Sequence, residues 1–88
     1  MKTIVIKIAG ALDNARAFID DVELFFDGGE ARQNRPPGEH GLTWFVRGTP
    51  GTQYTIEIAD PVEARFKRED TIDSSTKDAG VKWFRVGG

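Results

Sequence analysis

Apolar and polar residues alternate along most of the chain, which is the pattern of β-strands that bury one face. The clearest run lies at residues 53–59, where Tyr54, Ile56 and Ile58 occupy every second position and polar residues lie between them. The same period recurs in five other segments, namely residues 2–9, 22–26, 42–47, 62–66 and 81–86. The pattern therefore predicts six strands, and the chain has room for a seventh.

Glycine and proline residues separate the predicted strands. The segment Thr-Pro-Gly-Thr at residues 49–52 has proline in the second position and glycine in the third, as a type II turn requires. It predicts a hairpin that joins the strands at residues 42–47 and 53–59. Further along the chain, Pro61 removes a ladder donor, so we expect a kink or a crossover to another sheet there.

Two segments lack a clear strand pattern. Residues 11–21 fit a helix capped by Asp13, and they also fit a strand that starts at Ala17. We predict a turn or a short helical piece at residues 12–16, followed by a strand. Residues 32–41 contain Asn-Arg-Pro-Pro-Gly-Glu, which is typical of a loop. A loop of this length is costly in a small domain unless it has a function.

Short strands, Gly/Pro turns and the lack of a long helical pattern indicate an all-β fold. We predict a single antiparallel β-sandwich, immunoglobulin-like or jelly-roll-like, with six or seven strands and with residues 1–88 as one domain. The size agrees, because a chain of 88 residues and 9.8 kDa buries one small core. The chain contains no cysteine, which excludes disulfide bonds and a cysteine-based zinc site.

The charge balance argues against a nucleic-acid partner. The chain has 12 Lys and Arg residues and 14 Asp and Glu residues, for a net charge of −2. Its longest basic cluster, at residues 65–68, is followed at once by Glu69 and Asp70. A phosphate-binding surface needs cations that are clustered and uncompensated, so we expect no nucleic-acid binding.

We also expect no membrane partner. Lys7 interrupts the apolar residues near the start, and no run approaches the roughly 20 apolar residues that span a bilayer. The localisation stays open between cytoplasmic, as the chain stands, and extracellular, if a signal peptide has been removed.

Three pairs of adjacent aromatic residues lie inside predicted strands. Neighbouring residues in a strand point to opposite faces, so one ring of each pair enters the core and the other points away from it. The alternation predicts an inward group that consists of Phe26, Trp44 and Phe84. It predicts an outward group that consists of Phe25, Phe45 and Trp83. Several exposed aromatic rings on one surface mark an interaction site.

As a single patch, the outward group fits two non-catalytic functions. Symmetric dimers bury an apolar patch against its own copy, so we predict a binding or protein-interaction module that self-associates or binds another protein. The alternative is a carbohydrate-binding module in which a sugar ring stacks on Phe25, Phe45 or Trp83. We expect no cofactor for either function.

His40 is the only histidine, and it supplies a third hypothesis. A Ser/His/Asp arrangement would require it to lie near Ser74 or Ser75. These serines occur in a polar segment without the glycine spacing of a nucleophile elbow. A small hydrolase that uses His40 therefore ranks last, and we expect a protein that is not an enzyme.

Four acidic residues are candidates for a calcium site. Asp20, Asp21, Asp27 and Glu30 are close in sequence, but they lack the spacing of an EF-hand. Adjacent carboxylates on a strand also point apart. We interpret these residues as ionised surface groups and expect no metal.

Two stretches resemble known β-sandwich modules. Residues 41–58, an aromatic strand followed by a Gly-Thr-Pro-Gly turn and an alternating strand, resemble the hairpin of small bacterial immunoglobulin-like modules. Residues 17–24, Ala-Phe-Ile-Asp-Asp-Val-Glu-Leu, resemble the Asp-x-Val-x-Leu strand of jelly-roll carbohydrate-binding modules. The resemblance implies a β-sandwich with a binding role and assigns no binding residues.

Overall fold

The computed structural model describes residues 1–87, which form two four-stranded antiparallel sheets packed together around one core. The strands are β1 (Lys2–Gly10), β2 (Asn14–Ile19), β3 (Val22–Glu23), β4 (Glu30–Arg35), β5 (Gly38–Arg47), β6 (Gln53–Asp60), β7 (Phe66–Thr71) and β8 (Lys77–Val86). Sheet 1 has the strand order β4-β1-β6-β7, and sheet 2 has the order β3-β2-β5-β8. The predicted antiparallel β-sandwich is confirmed, with eight strands in these residues rather than six or seven.

The indole of Trp44 occupies the space between the two sheets and is fully buried. Trp44 on β5 is paired with Gly80 on β8, and a Cβ atom at position 80 would overlap the indole ring. Gly80 therefore provides the space that the ring fills. Branched aliphatic side chains surround this position on both sheets, among them Ile4, Ile6, Ile19, Leu42, Ile56 and Ile58.

A chain of hydrogen bonds crosses the core from sheet 2 to sheet 1 and back. The indole Nε1 of Trp44 donates to the hydroxyl of Tyr54 on β6 at 3.2 Å, and that hydroxyl donates to Asp78 Oδ2 on β8 at 2.6 Å. Burial of the ring and the hydrogen bond to Asp78 raise the pKa of Tyr54 to about 12. The phenol therefore keeps its proton at neutral pH and ties the two sheets together.

The turn at residues 49–52 forms, but the hairpin predicted around it is wrong. The amide of Thr52 donates to the carbonyl of Thr49 at 3.1 Å, and Gly51 has a φ of 92°, as a type II turn requires. However, β5 and β6 belong to different sheets. The alternation of side chains shows which face of a strand is buried but not which strand pairs with it. Residues 41–58 are thus strands of two sheets rather than one hairpin.

At Pro61 the sequence predicts a kink or a crossover to another sheet. The crossover is wrong, because β6 and β7 are paired within sheet 1. Between them the chain forms a short 3₁₀ helix at Val62–Ala64. This helix replaces the first part of the strand predicted at residues 62–66, which begins only at Phe66. In a strand Val62 and Ala64 would share one face. In this helical turn they do not, because Ala64 is buried while Val62 is 67% exposed.

The two ambiguous segments both contain more strand than predicted. β2 begins at Asn14, so the turn or helical piece predicted at residues 12–16 is wrong. The strand predicted from Ala17 is present, and it ends in a tight turn at Asp20 and Asp21, whose φ values of 50° and 67° match a type I′ hairpin. Aspartate tolerates this left-handed conformation better than most residues.

The loop predicted at residues 32–41 is wrong as well. Only Pro36 and Pro37 separate β4 from β5, because the polar residues on either side pair within their own sheets. The sequence pattern misses β4 since it is an edge strand in which only Ala31 is buried. Few of the described residues therefore lie in loops, and the surface consists mainly of sheet faces and edges.

We predict that Gly80→Ala destabilises the fold, because the added methyl group has no space beside the buried indole of Trp44. Overpacking of this kind costs about 1–3 kcal/mol. The loss is measured as a lower urea midpoint of unfolding. Gly48→Ala is the matched control, since a Cβ atom there would make ordinary contacts of 3.4 Å or more. Equal effects of both changes would contradict this description of the core.

Candidate functional site

The outer face of sheet 2 carries three large apolar side chains that the core does not cover. Phe45, Val81 and Trp83 are 51%, 54% and 69% exposed. They share a face because Phe45 pairs with Ala79, Thr43 with Val81 and Gly41 with Trp83 across β5 and β8. We call Phe45, Val81 and Trp83 the apolar stripe. It runs obliquely across the last two strands of the sheet.

The indole of Trp83 lies directly on the backbone of its neighbour. A Cβ atom at Gly41 would be 2.9 Å from the six-membered part of the ring. Because Gly41 has no side chain, the ring can lie against the sheet at this position. The remainder of the ring faces solvent.

The stripe ends in a polar border on the side of β2 and β3. The ring of Phe18 contacts Phe45 edge-on, with 6.1 Å between the centroids. The guanidinium of Arg16 lies 5.3 Å from the centre of the Phe18 ring and donates two hydrogen bonds of 3.0 Å to Glu23. The hydrogen bond from Arg16 lowers the pKa of Glu23, so this border is an ion pair at neutral pH.

The structure places the predicted aromatic residues as follows. The inward prediction is confirmed for Trp44 and Phe84, which are buried, and Phe26 packs against the core while partly exposed. The outward prediction is confirmed for Phe45 and Trp83, which are exposed on strands. Phe25 is exposed as well, but the strand predicted at residues 22–26 is wrong beyond Glu23, so strand alternation does not explain the exposure of Phe25.

The structure does not bring all three outward rings together. Phe25 is 83% exposed, but it follows β3, whereas Trp83 lies on β8 at the opposite edge of sheet 2. The stripe instead contains Val81, which the alternation places outside together with Trp83. The sequence shows the parity of each residue but not the order of the strands.

A shallow groove of about 250 Å³ adjoins Trp83. Its polar side comes from the turn at Asp20 and Asp21 and from the hydroxyl-bearing Thr43. The groove therefore brings carboxylate and hydroxyl groups next to the indole of Trp83.

The free edge of β8 borders the same face. Within residues 1–87, β8 pairs only with β5. The amide of Gly48 donates to the carbonyl of Thr76, which makes the even-numbered residues of β8 the hydrogen-bonded partners of β5. The backbone groups of Ala79, Val81 and Trp83 therefore point away from the sheet, along its free edge.

His40 is buried and pairs with the partly exposed Asp20. Its Nδ1 lies 2.5 Å from Asp20 Oδ2, and its Nε2 lies 2.7 Å from the carbonyl oxygen of Pro36. The other carboxylate oxygen of Asp20 accepts the amide of Gly41 at 2.9 Å. Because the carbonyl only accepts, Nε2 carries a proton, and the carboxylate favours a second proton on Nδ1.

The pKa shifts agree with this pairing. Burial alone would lower the pKa of His40, but the hydrogen bonds to Asp20 and Pro36 outweigh it and the pKa is raised. Burial alone would raise the pKa of Asp20, but the hydrogen bonds from His40 and Gly41 outweigh it and the pKa is lowered. The pair stabilises the turn between β2 and β3 against the start of β5.

The serines required for a Ser/His arrangement lie at the other end of sheet 2. Ser75 lies two residues before β8, whose first residue pairs with Arg47, while His40 pairs with Phe84. Seven residues of extended β5 separate positions 40 and 47, which corresponds to about 23 Å. The structure therefore keeps Ser74 and Ser75 away from His40.

The acidic residues do not converge on a metal position. Asp20 and Asp21 form the β2–β3 turn, whereas Asp27 and Glu30 form an isolated bridge with each other. Across residues 1–87, no group of three or more His, Asp or Glu side chains is arranged to hold a metal ion. The described residues also contain no helix with the length and hydropathy needed to cross a membrane.

Comparison with known proteins gives no match to a protein-family model, to a curated protein or to a solved structure. The resemblance to immunoglobulin-like and jelly-roll modules therefore stays a prediction. The function is inferred below from the geometry of the apolar stripe, its groove and the free edge of β8.

We predict that the His40–Asp20 pair makes stability depend on pH. A raised His40 pKa stabilises the fold fully below the unfolded value of about 6.5, and this contribution is lost as the pH rises through the folded pKa. A lowered Asp20 pKa stabilises the fold above about pH 3.9, and this contribution is lost as the pH falls through the folded pKa. Unfolding by urea at pH 6 and pH 9 measures the first of these losses.

His40→Gln is the control, because His40 is the only histidine in the chain. The variant should be less stable at pH 6 and should show a smaller decrease between pH 6 and pH 9 than the parent. Identical decreases in the two proteins would mean that His40 is not paired as described.

Proposed function

We propose that the protein is a non-catalytic interaction module that associates with a second copy of itself through the apolar stripe. The observation that carries the proposal is the exposure of Phe45, Val81 and Trp83 side by side on one sheet face. Single exposed apolar residues are common on protein surfaces, but a contiguous group next to an unpaired strand edge favours an interface.

The energetics of burial support this choice. Fully burying one side chain of the Val, Leu or Phe class contributes about 1.5–3 kcal/mol, and the three members of the stripe are about half exposed or more. Covering part of this apolar surface therefore favours association and offsets part of the entropy that association costs. The polar border at Arg16 and Glu23 resembles the rim of known interfaces.

The arrangement around His40 favours a non-catalytic role. Both ring nitrogens are already engaged, one by Asp20 and one by Pro36, and the side chain is buried. A general base needs a nitrogen that reaches the proton it removes. The pair is better suited to fixing the β2–β3 turn.

A second candidate function is carbohydrate binding, and the groove beside Trp83 is the observation that favours it. Sugar rings stack on exposed aromatic rings and need hydrogen-bonding groups at their edges. The groove offers the carboxylates of Asp20 and Asp21 and the hydroxyl of Thr43 next to the indole. Self-association ranks first because the stripe continues beyond this groove to Phe45 and borders the free edge of β8.

We predict that the protein forms dimers whose fraction rises with concentration. Val81→Ser and Trp83→Ser should each shift the equilibrium toward monomer by tenfold or more, because each removes apolar area from the stripe. Sedimentation velocity across a hundredfold range of concentration measures the change.

Val62→Ser is the matched control for Val81→Ser. Val62 is 67% exposed and belongs to the 3₁₀ helix next to sheet 1, outside the stripe. Val62→Ser should leave the fraction of dimer unchanged at every concentration. A strict monomer over the whole range would overturn the proposed function.

Carbohydrate binding has a separate test. Trp44 is fully buried, so a ligand in the groove should act on the fluorescence of Trp83. If sugars bind there, at least one member of a glycan panel shifts the emission, and Thr43→Val weakens that effect while it preserves the reporter ring. No shift with any glycan would eliminate this candidate.

A further inference from the structure

We infer that two copies of the chain pair through β8, antiparallel and with the two-fold axis at Gly80, so that their two β3-β2-β5-β8 sheets become one continuous sheet. This inference rests on the proposed function, because it specifies how the second copy binds. It is carried by three features of β8, which are its free backbone groups, its lack of protection and its charge pattern.

The open edge of β8 presents a row of free backbone groups. The odd-numbered residues of β8 direct their N–H and C=O groups along the open edge, as the pairing of the even-numbered residues with β5 requires. β8 is ten residues long, so this edge is long enough for an extended ladder. Edge strands of this kind are templates for pairing with another chain.

The other edges of the sandwich are protected against such pairing. β3 has only two residues. β4 and β7 are six residues long and carry three and four charged residues, respectively. Short edges and charged edges are the usual means by which proteins prevent edge-to-edge association. β8 also carries four charged residues, but they flank a centre, Ala79-Gly80-Val81, that contains no charge and no proline.

The charges that flank this uncharged centre are self-complementary. With the two-fold axis at Gly80, Asp78 of one copy lies opposite Lys82 of the other, and the pair occurs twice. Opposite charges at directly facing positions stabilise a strand pair. In the same register Lys77 lies opposite Trp83 of the second copy, which places a cation beside an exposed aromatic ring.

Neighbouring registers lack this complementarity. An axis at Val81 places Lys77 opposite Arg85, and an axis at Lys82 places two lysines directly opposite each other. Like charges in facing positions destabilise strand pairs. A two-fold axis midway between two residues of β8 is excluded, because it would pair outward-facing residues with inward-facing ones.

Pairing in this register also extends the apolar stripe. Ala79 of each copy lies opposite Val81 of the other, so the two stripes meet at the axis. Phe45 pairs with Ala79 of its own copy, so Phe45, Ala79 and Val81 of the second copy lie in one row across the joined sheet. Ala79 and Val81 of the two copies therefore cover each other at the axis, while Phe45 of each copy lies one strand away on the outer face of the joined sheet.

The register is tested by the distance between spin labels. The chain contains no cysteine, so Arg85→Cys provides a single labelling site at the exposed end of β8. An axis at Gly80 places the two labelled residues ten positions apart, or about 33 Å along the strands. Axes at Val81 and Lys82 would give about 26 Å and about 20 Å. The distance is measured by double electron–electron resonance on the dimer.

Two substitutions test the contacts. Ala79→Pro removes an outward-facing N–H that β5 does not use, and Lys82→Glu places acidic groups opposite each other at both Asp78 positions. Each should weaken the dimer at least tenfold while the β-sheet circular dichroism is retained. Lys7→Glu, an equal charge change on the exposed face of sheet 1, is the matched control and should have no effect.

The outcomes separate this inference from the proposed function. A dimer with a label separation near 33 Å that Lys82→Glu weakens supports the pairing. A dimer with another separation, or one that Lys82→Glu leaves unchanged, overturns the pairing while self-association stands. A monomer at every concentration overturns both.

Discussion

The burial of Trp44 between the two sheets determines which sides of β5 and β8 face solvent. Its indole can enter the core only because Gly80, directly opposite on β8, has no side chain to meet it. Residues next to these two positions must point the other way. The exposure of Phe45 and Val81 therefore follows from one large-to-small contact in the core rather than from any preference of their own.

The same parity governs the backbone of β8. The Trp44–Gly80 pair belongs to the hydrogen-bonded rows between β5 and β8, so the adjacent residues offer their amides to the open edge. Tyr54 then fixes the end of this strand to sheet 1 through its hydrogen bond to Asp78. On β8, exposed apolar side chains and unpaired amides consequently occur on the same residues, Val81 and Trp83, so this strand can supply both kinds of contact to a partner.

The sequence predicts the orientation of side chains better than the pairing of strands. The inward and outward positions of Trp44 and Phe45 follow from local alternation alone. The sheet order depends on contacts between distant segments, so the sequence predicts the type II turn at residues 49–52 but not that the flanking strands belong to different sheets. The pattern does not predict β4, because an edge strand needs few apolar residues. Nothing in the sequence separates Phe25 from Trp83, because the alternation does not show that β3 and β8 lie at opposite edges of sheet 2.

Amide hydrogen exchange, followed residue by residue with NMR at several protein concentrations, tests the central claim most directly. The account predicts that the amides of Ala79, Val81 and Trp83 exchange rapidly in dilute solution and become protected as the concentration rises. The amides of Gly80 and Lys82, which pair with β5, should stay protected throughout. Exchange at Ala79, Val81 and Trp83 that does not change with concentration would contradict the account.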